Sequence, residues 1–239
     1  MKFPTSPPRP ALPDTPYSGT VQREVMIAAD IRSRGVQDPR VLAAFRRVPR
    51  ELFVPDTAVN HAYEDHPLAI GAHQTISQPY IVAAMLEALR LKGDEKVLEI
   101  GTGTGYSAAL LTHLCEVVYT VERLESLYQS ASDRLRAFGY DVRCKLGDGT
   151  LGWSEHAPYD AIIVAAAGPV VPPSLLAQLG PCGRLVMPVG DDKHQFLKLV
   201  RKGPDREGDI APRLEEFTLE EVGFVPLIGA EGSSHAGPR

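Results

Sequence analysis

VLEIGTGTG, residues 97–105, is an apolar run that holds one acidic residue and leads into three glycines at alternate positions. Val97, Leu98 and Ile100 are residues of the kind that a parallel strand buries on both faces, and Tyr106 to Leu114 (YSAALLTHL) has the composition of a helix that follows at once. The chain must therefore turn sharply between Gly101 and Gly105. Glycine permits a positive φ and, lacking a Cβ, lets a ligand lie against the main chain. Glu122 ends the next apolar run, VVYTV. Its carboxylate should fall at the carboxyl edge of the sheet, where an acidic residue roughly 20 positions on holds ribose hydroxyls. These features predict a nucleoside-bearing ligand.

Spacing narrows the choice. A dinucleotide fingerprint reads Gly-x-Gly-x-x-Gly, with pyrophosphate on the helix N-terminus. Here Gly101, Gly103 and Gly105 precede Tyr106, so the third glycine comes one residue early. No lysine follows the turn, which excludes a Gly-x-x-x-x-Gly-Lys-Ser/Thr phosphate loop. Glu99 would repel a phosphate but suits a cationic, amine-bearing ligand. S-adenosylmethionine has such an amine and no phosphate. The expected cofactor-binding residues are Glu99, Gly101, Thr102, Gly103, Gly105 and Glu122, joined by Asp148 and Gly149 of LGDG (146–149). Asp148 suits an adenine amino group, although a Gly-Asp-Gly turn is equally good as plain turn chemistry.

The chain has 239 residues, enough for one α/β domain with an appendage and a substantial core. Its net charge of −5, from 30 acidic and 25 basic residues, argues against a nucleic-acid partner, which usually calls for a basic face. Cys115, Cys144 and Cys182 are odd in number, far apart, and in or beside expected core segments, so they read as small hydrophobes in a reducing compartment. The 7 histidines form no metal-ligand spacing, and no metal is expected. Residues 1–19 are rich in proline and lack the apolar core of a signal peptide, so a disordered tail is expected there, and residues 229–239 (GAEGSSHAGPR) are expected as a flexible tail. No apolar run approaches the ~20 residues that span a membrane. The expectation is a soluble, cytoplasmic monomer with no membrane partner.

Val21 to Arg34 and Val41 to Arg47 have helical spacing, the second opening after Asp38-Pro39 as a capped helix would. Residues 48–78 hold no long periodic segment, and a stretch that irregular inside a compact enzyme reads as a binding loop. A helix at Tyr80 to Leu91 leads to the strand at 96–100. From there the pattern runs helix 104–115, strand 117–122, helix 124–138, strands 141–146 and 159–166, helix 173–180 and strand 184–189. This alternation predicts a Rossmann-like doubly wound α/β fold with a mostly parallel sheet. Strands at 195–202 and 213–227 follow with short connections, which predict an antiparallel C-terminal edge with 195–202 beside 184–189. Residues 20–228 thus form one domain: an N-terminal helical and substrate-loop region (20–92) before the cofactor-binding sheet (93–228).

Methyl transfer from a sulfonium is a direct displacement that needs an in-line nucleophile in a site that excludes water. Enzymes that methylate amino groups of bases commonly carry Asn/Asp-Pro-Pro-Tyr/Phe after the fourth strand. That position here reads AAAGP, Ala165 to Pro169, with no acidic or amide side chain, so an amine target is disfavoured. A carboxylate is already ionised at neutral pH, with a pKa of about 4, and needs positioning rather than a general base. Ser77 and Thr75, in HQTISQP, are the donors to do it. On composition alone Ser77 reads first as a helix N-cap, because Pro79 stands where a first turn begins. Glu64, Asp65 and His73 read as loop side chains.

VPRELFVP (48–55), AYEDHPLAIG (62–71), QTISQPYIVAAM (74–85), VLEIGTGTGY (97–106), GDGTLGW (147–153), YDAIIVAAA (159–167), GRLVMPVG (183–190) and FVPL (224–227) resemble, in order, the protein-L-isoaspartate (D-aspartate) O-methyltransferase family of class I S-adenosylmethionine-dependent enzymes. QTISQP is far more specific than the glycine turn, which any class I methyltransferase shares. The resemblance covers roughly residues 21–227. It implies methyl transfer from S-adenosylmethionine, with S-adenosylhomocysteine as product and no metal, to the α-carboxylate of L-isoaspartyl residues in damaged proteins and peptides. The ester then closes to a succinimide without the enzyme, and hydrolysis returns part of the population to normal Asp. The resemblance also implies that Ser77 is the catalytic position, with Thr75 beside it, and that an extended peptide lies in the 61–78 loop. On the chemistry above, Ser77 orients the carboxylate and does not attack. Two alternatives stand beside this one: a carboxyl methyltransferase dedicated to Asp in one peptide product, and a noncatalytic S-adenosylmethionine-binding adaptor, which would have no reason to keep Ser77 and its flanking motif.

Overall fold

The computed structural model describes residues 19–204 and 213–234, so nearly all of the proline-rich segment and the last five residues of the expected C-terminal tail lie outside it. Helix α1 (Thr20–Val25) runs on through a π-turn (Met26–Ile31) and a 3-10 turn (Arg32–Arg34) that ends at Gly35. Helix α2 (Pro39–Arg47) starts as expected, with the Asp38 carboxylate accepting the Arg40 N–H at 2.8 Å and Pro39 in the first turn. The irregular stretch that follows holds two 3-10 turns (Arg50–Phe53 and Asp56–His61) and a small hairpin of β1 (Leu68–Gly71) and β2 (Gln74–Ile76). Helix α3 (Pro79–Leu89) leads into the main sheet.

That sheet comprises β3 (Lys96–Ile100), β4 (Val117–Glu122), β5 (Val142–Leu146), β6 (Tyr159–Val164), β7 (Leu179–Gly190), β8 (Gln195–Lys202) and β9 (Leu214–Val222), in the spatial order β5-β4-β3-β6-β7-β8-β9. The first five in that order are parallel, and β8 and β9 add an antiparallel edge, with β8 beside β7. Side chains alternate across a strand. Val97 of β3 and Ile163 of β6 therefore pack with α3, α4 (Tyr106–Leu111) and the N-terminal helices, while Leu98, Ile100 and Ile162 pack on the other face with Leu175 of α6 (Pro173–Gln178). Helix α5 (Glu125–Ala137) contributes Leu135 to the first of these cores. Strand order reverses about β3: the chain goes outward through β4 and β5, then returns to β6 on the other side. In such sheets the crevice for a ligand opens at the carboxyl ends of the strands flanking that reversal.

Three local features differ from the sequence expectations. The last strand ends at Val222 rather than 227, and the chain then crosses the carboxyl ends of the sheet, where Ala167 N–H donates to Val225 O at 2.8 Å and Leu227 N–H to Ala167 O at 2.7 Å. Pro226 in this crossing has no N–H to give to a ladder. Of the cysteines, Cys115 is buried, but Cys182 is exposed, on a residue with φ of 59°, and is no core hydrophobe. Residues 229–234, expected as the start of a loose end, fold back instead. Asp148 Oδ2 accepts the Ala230 N–H at 2.7 Å, its Oδ1 accepts the Thr150 N–H and hydroxyl at 2.8 and 2.7 Å, and Thr150 Oγ1 accepts the Glu231 N–H at 3.1 Å. Among the described residues, no helix is long and apolar enough to cross a membrane.

Asp148→Ala removes the acceptor of the Ala230 and Thr150 bonds and with it the anchor of the Thr150 hydroxyl that accepts from Glu231. It should cost about 1–3 kcal/mol in urea unfolding, with faster amide exchange at Ala230 and Glu231. Unchanged exchange at both amides would mean that the carboxylate does not hold this segment.

Candidate active site

A cleft opens at the carboxyl ends of β3 and β6. Gly101, Thr102, Gly103, Glu122 and Gly149, all named from sequence, line it. Its apolar wall is formed by Ile100, Val121, Leu127 and Ile163, and the crossing segment 225–228 closes one side. Among the described residues, Arg123 is the one cation on the wall and no lysine lines it, which fits a nucleoside without phosphates. Sequence reasoning did not assign the crossing segment to the site, although FVPL was the signal that marked it.

The remaining expected residues stand behind this wall. Gly105, with φ of 88°, starts α4, and a Cβ there would lie 3.0 Å from Leu135 Cγ, so this glycine is set by helix packing. Asp148 is engaged by Thr150 and Ala230, while its neighbour Gly149 reaches the cleft because a Cβ there would overlap Ile100 Cγ2 at 2.4 Å. Glu122 is buried at the end of β4. Its Oε2 accepts the Gly103 N–H at 2.9 Å and its Oε1 the Leu124 N–H at 3.0 Å, so one carboxylate clasps the glycine turn to the start of the next loop. Glu99 shares the strand parity of Val97 and sits fully buried next to α4, out of the cleft. Thr120 donates to its Oε2 at 2.7 Å, whereas Oε1 makes no hydrogen bond of good geometry. Burial, with the charge of Glu122 adding to it, pushes the Glu99 carboxyl up to about 7, against the pull of Thr120 and Ser107.

Thr75 and Ser77 lie on the cleft wall and also line an adjoining chamber with Arg34, Glu220 and Phe224; Ala165 and Val225 are the other residues the two share. Ser77 does not cap α3: the cap position is Gln78, and no side-chain cap bond is made from it. Asp65 does that work from the preceding loop, its Oδ1 accepting the Tyr80 N–H at 2.9 Å and its Oδ2 a Gln78 side-chain N–H at 2.7 Å. His73, with φ of 56°, and Ala72, with φ of 49°, turn the hairpin that carries Thr75.

Arg50 was not singled out from sequence, and it holds this region together. Its side chain is fully buried, donates from Nε to Ala62 O at 2.8 Å and from Nη2 to Ser77 O at 3.0 Å, and lies over the ring of the cleft residue Tyr106 at 5.1 Å. Burial lowers its pKa to about 10, so it remains a cation at neutral pH. VPRELFVP holds two adjacent charged residues, Arg50 and Glu51, between core formers, and nothing in the sequence distinguishes the buried one from its partner-bound neighbour.

Comparison with known proteins gives one consistent result. The model of the family described as protein-L-isoaspartate(D-aspartate) O-methyltransferase matches residues 21–232. The chain is 55% identical over 213 residues to protein-L-isoaspartate O-methyltransferase 2 of Pelobacter propionicus, covering 88% of this chain and 92% of that relative. A solved protein-L-isoaspartate O-methyltransferase superposes with a TM-score of 0.77 at 30% identity, over 88% of this chain and 67% of that one. A structure from Plasmodium falciparum that holds S-adenosyl-L-homocysteine shares the fold, with a TM-score of 0.72 at 21% identity over 87% of this chain and 98% of that one.

The burial of Glu99 has a measurable consequence. Its native pKa stands above the unfolded value, so between the two the native state keeps a proton that the unfolded state has lost, and stability falls as pH rises through this window. Glu99→Gln does not titrate. Relative to wild type it should gain up to about 3 kcal/mol between about pH 4.5 and above 7, read by urea unfolding. A pH-independent difference would contradict the burial of an ionisable carboxyl here.

Proposed function

The chain belongs to the protein-L-isoaspartate(D-aspartate) O-methyltransferase family, and from that premise we propose that the Thr75–Ser77 hairpin presents the α-carboxylate of an L-isoaspartyl residue to a methyl donor lying against the glycine turn. The activity is S-adenosylmethionine-dependent methylation of isoaspartyl sites in damaged proteins and peptides, the first step of their repair. The observation that carries the residue roles is that Ser77 and Thr75 line both chambers: one walled by the glycine turn and Glu122, the other open toward Arg34 and Phe224.

S-adenosylmethionine supplies an electrophilic methyl carbon on a sulfonium. The protein's part is placement. Glu122 already accepts two backbone N–H bonds, and each of its oxygens retains a lone pair for a ribose hydroxyl. Gly101, Gly103 and Gly149 keep the main chain close to the nucleoside, and Ile100, Val121 and Leu127 offer apolar faces to its base. Ser77 and Thr75 donate hydroxyl hydrogens to the substrate carboxylate and hold one oxygen in line with the methyl group. No proton has to be removed, since the carboxylate is ionised. The O–CH3 bond forms as the S–CH3 bond breaks, and the electron pair leaves with sulfur. The crossing segment 225–228 and the apolar wall keep water from the cation.

Arg50 and Asp65 are positioning residues in this scheme. One fixes the Ser77 carbonyl and the other the start of α3, so the hydroxyl between them has a fixed direction. We take the enzyme to act as a cytoplasmic monomer without nucleic acid, a reading that its acidic balance and three unpaired thiols support.

The direct test is transfer of labelled methyl from S-adenosylmethionine to two peptides identical except for one isoaspartyl or one normal aspartyl linkage. Base-labile label on the isoaspartyl peptide alone is expected; label on both or neither counts against the assignment. Ser77→Ala should lower kcat on the order of a hundredfold while leaving the Kd for S-adenosylhomocysteine within about twofold of wild type. Lost cofactor affinity with unchanged turnover would place Ser77 on the wrong side of the cleft.

A further inference from the structure

The chamber beside the cleft carries a carboxylate to which the reaction scheme gives no task. Glu220 lines it together with Arg34, Ser77 and Phe224. It is half-buried, whereas the residues of β9 before it, Leu214 to Leu219, are all exposed. A break in the ladder turns it inward. Thr218 pairs with Lys198 and Glu221 with Phe196, so Leu219 and Glu220 stand opposite the single residue Leu197. Two residues against one make a bulge, which bends the strand and redirects a side chain.

The surroundings do not neutralise this charge. Glu220 Oε1 accepts from the Tyr80 hydroxyl at 3.2 Å, and among the described residues no Lys, Arg or His side chain forms an ion pair with it. Arg34, the one cation lining the chamber among the described residues, is engaged elsewhere: its Nη1 donates to Asp65 Oδ2 at 2.9 Å, and its guanidinium lies over the Tyr80 ring at 3.4 Å. The Tyr80 ring thus has a paired cation on its face and an unpaired anion at its hydroxyl. Gly223 continues the same wall, and a Cβ there would meet nothing within 4 Å, so the chamber has open room close to the carboxylate.

We infer that Glu220 is a specificity-determining residue: it receives the cationic side chain of a lysine or arginine next to the isoaspartyl residue of the substrate. This rests on the placement of the isoaspartyl carboxylate at Ser77 and Thr75 argued above. With that carboxylate on the shared wall, the adjoining residues of an extended peptide enter the chamber, and a Lys or Arg among them brings its charge on a long stem to Glu220. Half-burial strengthens the pairing over one on the open surface, because less water screens it. An acidic neighbour is repelled by the same charge, which is the other half of the discrimination. Damage in basic segments is therefore methylated more readily than damage in acidic ones.

Steady-state methyl transfer to a set of isoaspartyl peptides tests it. They carry Lys, norleucine or Glu at the residue before or after the isoaspartyl linkage; norleucine keeps the apolar stem of Lys without the charge. At one of the two positions wild type should show a KM for the Lys peptide about fivefold below that for norleucine, with the Glu peptide above both. Glu220→Gln should bring the Lys and norleucine values within about twofold of each other, and Glu220→Lys should reverse the order of the Lys and Glu peptides. Glu216→Gln, on the same strand but paired with Lys198 and outside the chamber, should keep the full preference. No preference in wild type at either position overturns the inference, as does a preference that survives Glu220→Gln or one that is lost equally in Glu216→Gln. Failure of wild type to methylate any of the isoaspartyl peptides would overturn the substrate reading itself, which separates the two claims.

Discussion

The reversal of strand order about β3 is the constraint on which everything else depends. Because the chain leaves β3 for β4 on one side and reaches β6 on the other, the crossover segments diverge and leave a gap at the carboxyl ends of β3 and β6. A gap over the middle of a parallel sheet exposes strand ends and apolar side chains, and three devices line it. Glu122 clasps the glycine turn from the neighbouring strand, the crossing segment hydrogen-bonds to Ala167, and the β1–β2 hairpin leads to Thr75 and Ser77 at its rim. None of these comes from the element that forms the floor, so the site exists only once the whole sheet has been assembled.

The hairpin is the part least able to hold itself. Its two strands are short, and its turn puts two non-glycine residues, Ala72 and His73, at positive φ. A two-stranded ribbon of that size is not stable alone. Arg50 and Asp65 supply what is missing, through bonds to Ser77 O, Ala62 O, Tyr80 N–H and the Gln78 side chain. Placing a guanidinium in a site with only peptide carbonyls as acceptors is an expensive way to fix a loop. It gives one geometry instead of several, which in-line displacement requires.

Much of this was legible from sequence because it is periodic or local. The parallel strands appeared as apolar runs and the antiparallel edge followed from short connections. The glycine turn and Glu122 were given by spacing. Placement against the cleft depended on parity and on distant partners. Glu99 follows Val97 by two, so strand alternation alone already directs it to the face of Val97 and away from that of Ile100; its acidic character invited the opposite expectation. Ser77 looked like a cap because Pro79 follows it, and only Asp65, twelve residues earlier, frees it from that duty. Asp148 looked like a ligand or a turn residue; one oxygen does cap the turn at Thr150, and the other holds Ala230, more than eighty residues later. Such partnerships leave no periodic trace in the chain.

The central claim is that Ser77 and Thr75 hold a substrate carboxylate in line with the methyl donor at the junction of the two chambers. A crystal structure of the protein with S-adenosylhomocysteine and a short isoaspartyl peptide tests it most directly. The account predicts the isoaspartyl α-carboxylate within hydrogen-bonding distance of Ser77 Oγ, one oxygen facing the thioether sulfur, and the peptide running into the chamber beside Arg34 and Phe224. A carboxylate bound away from Ser77, or a nucleoside lying anywhere but against Gly101 to Gly103 and Glu122, would contradict it.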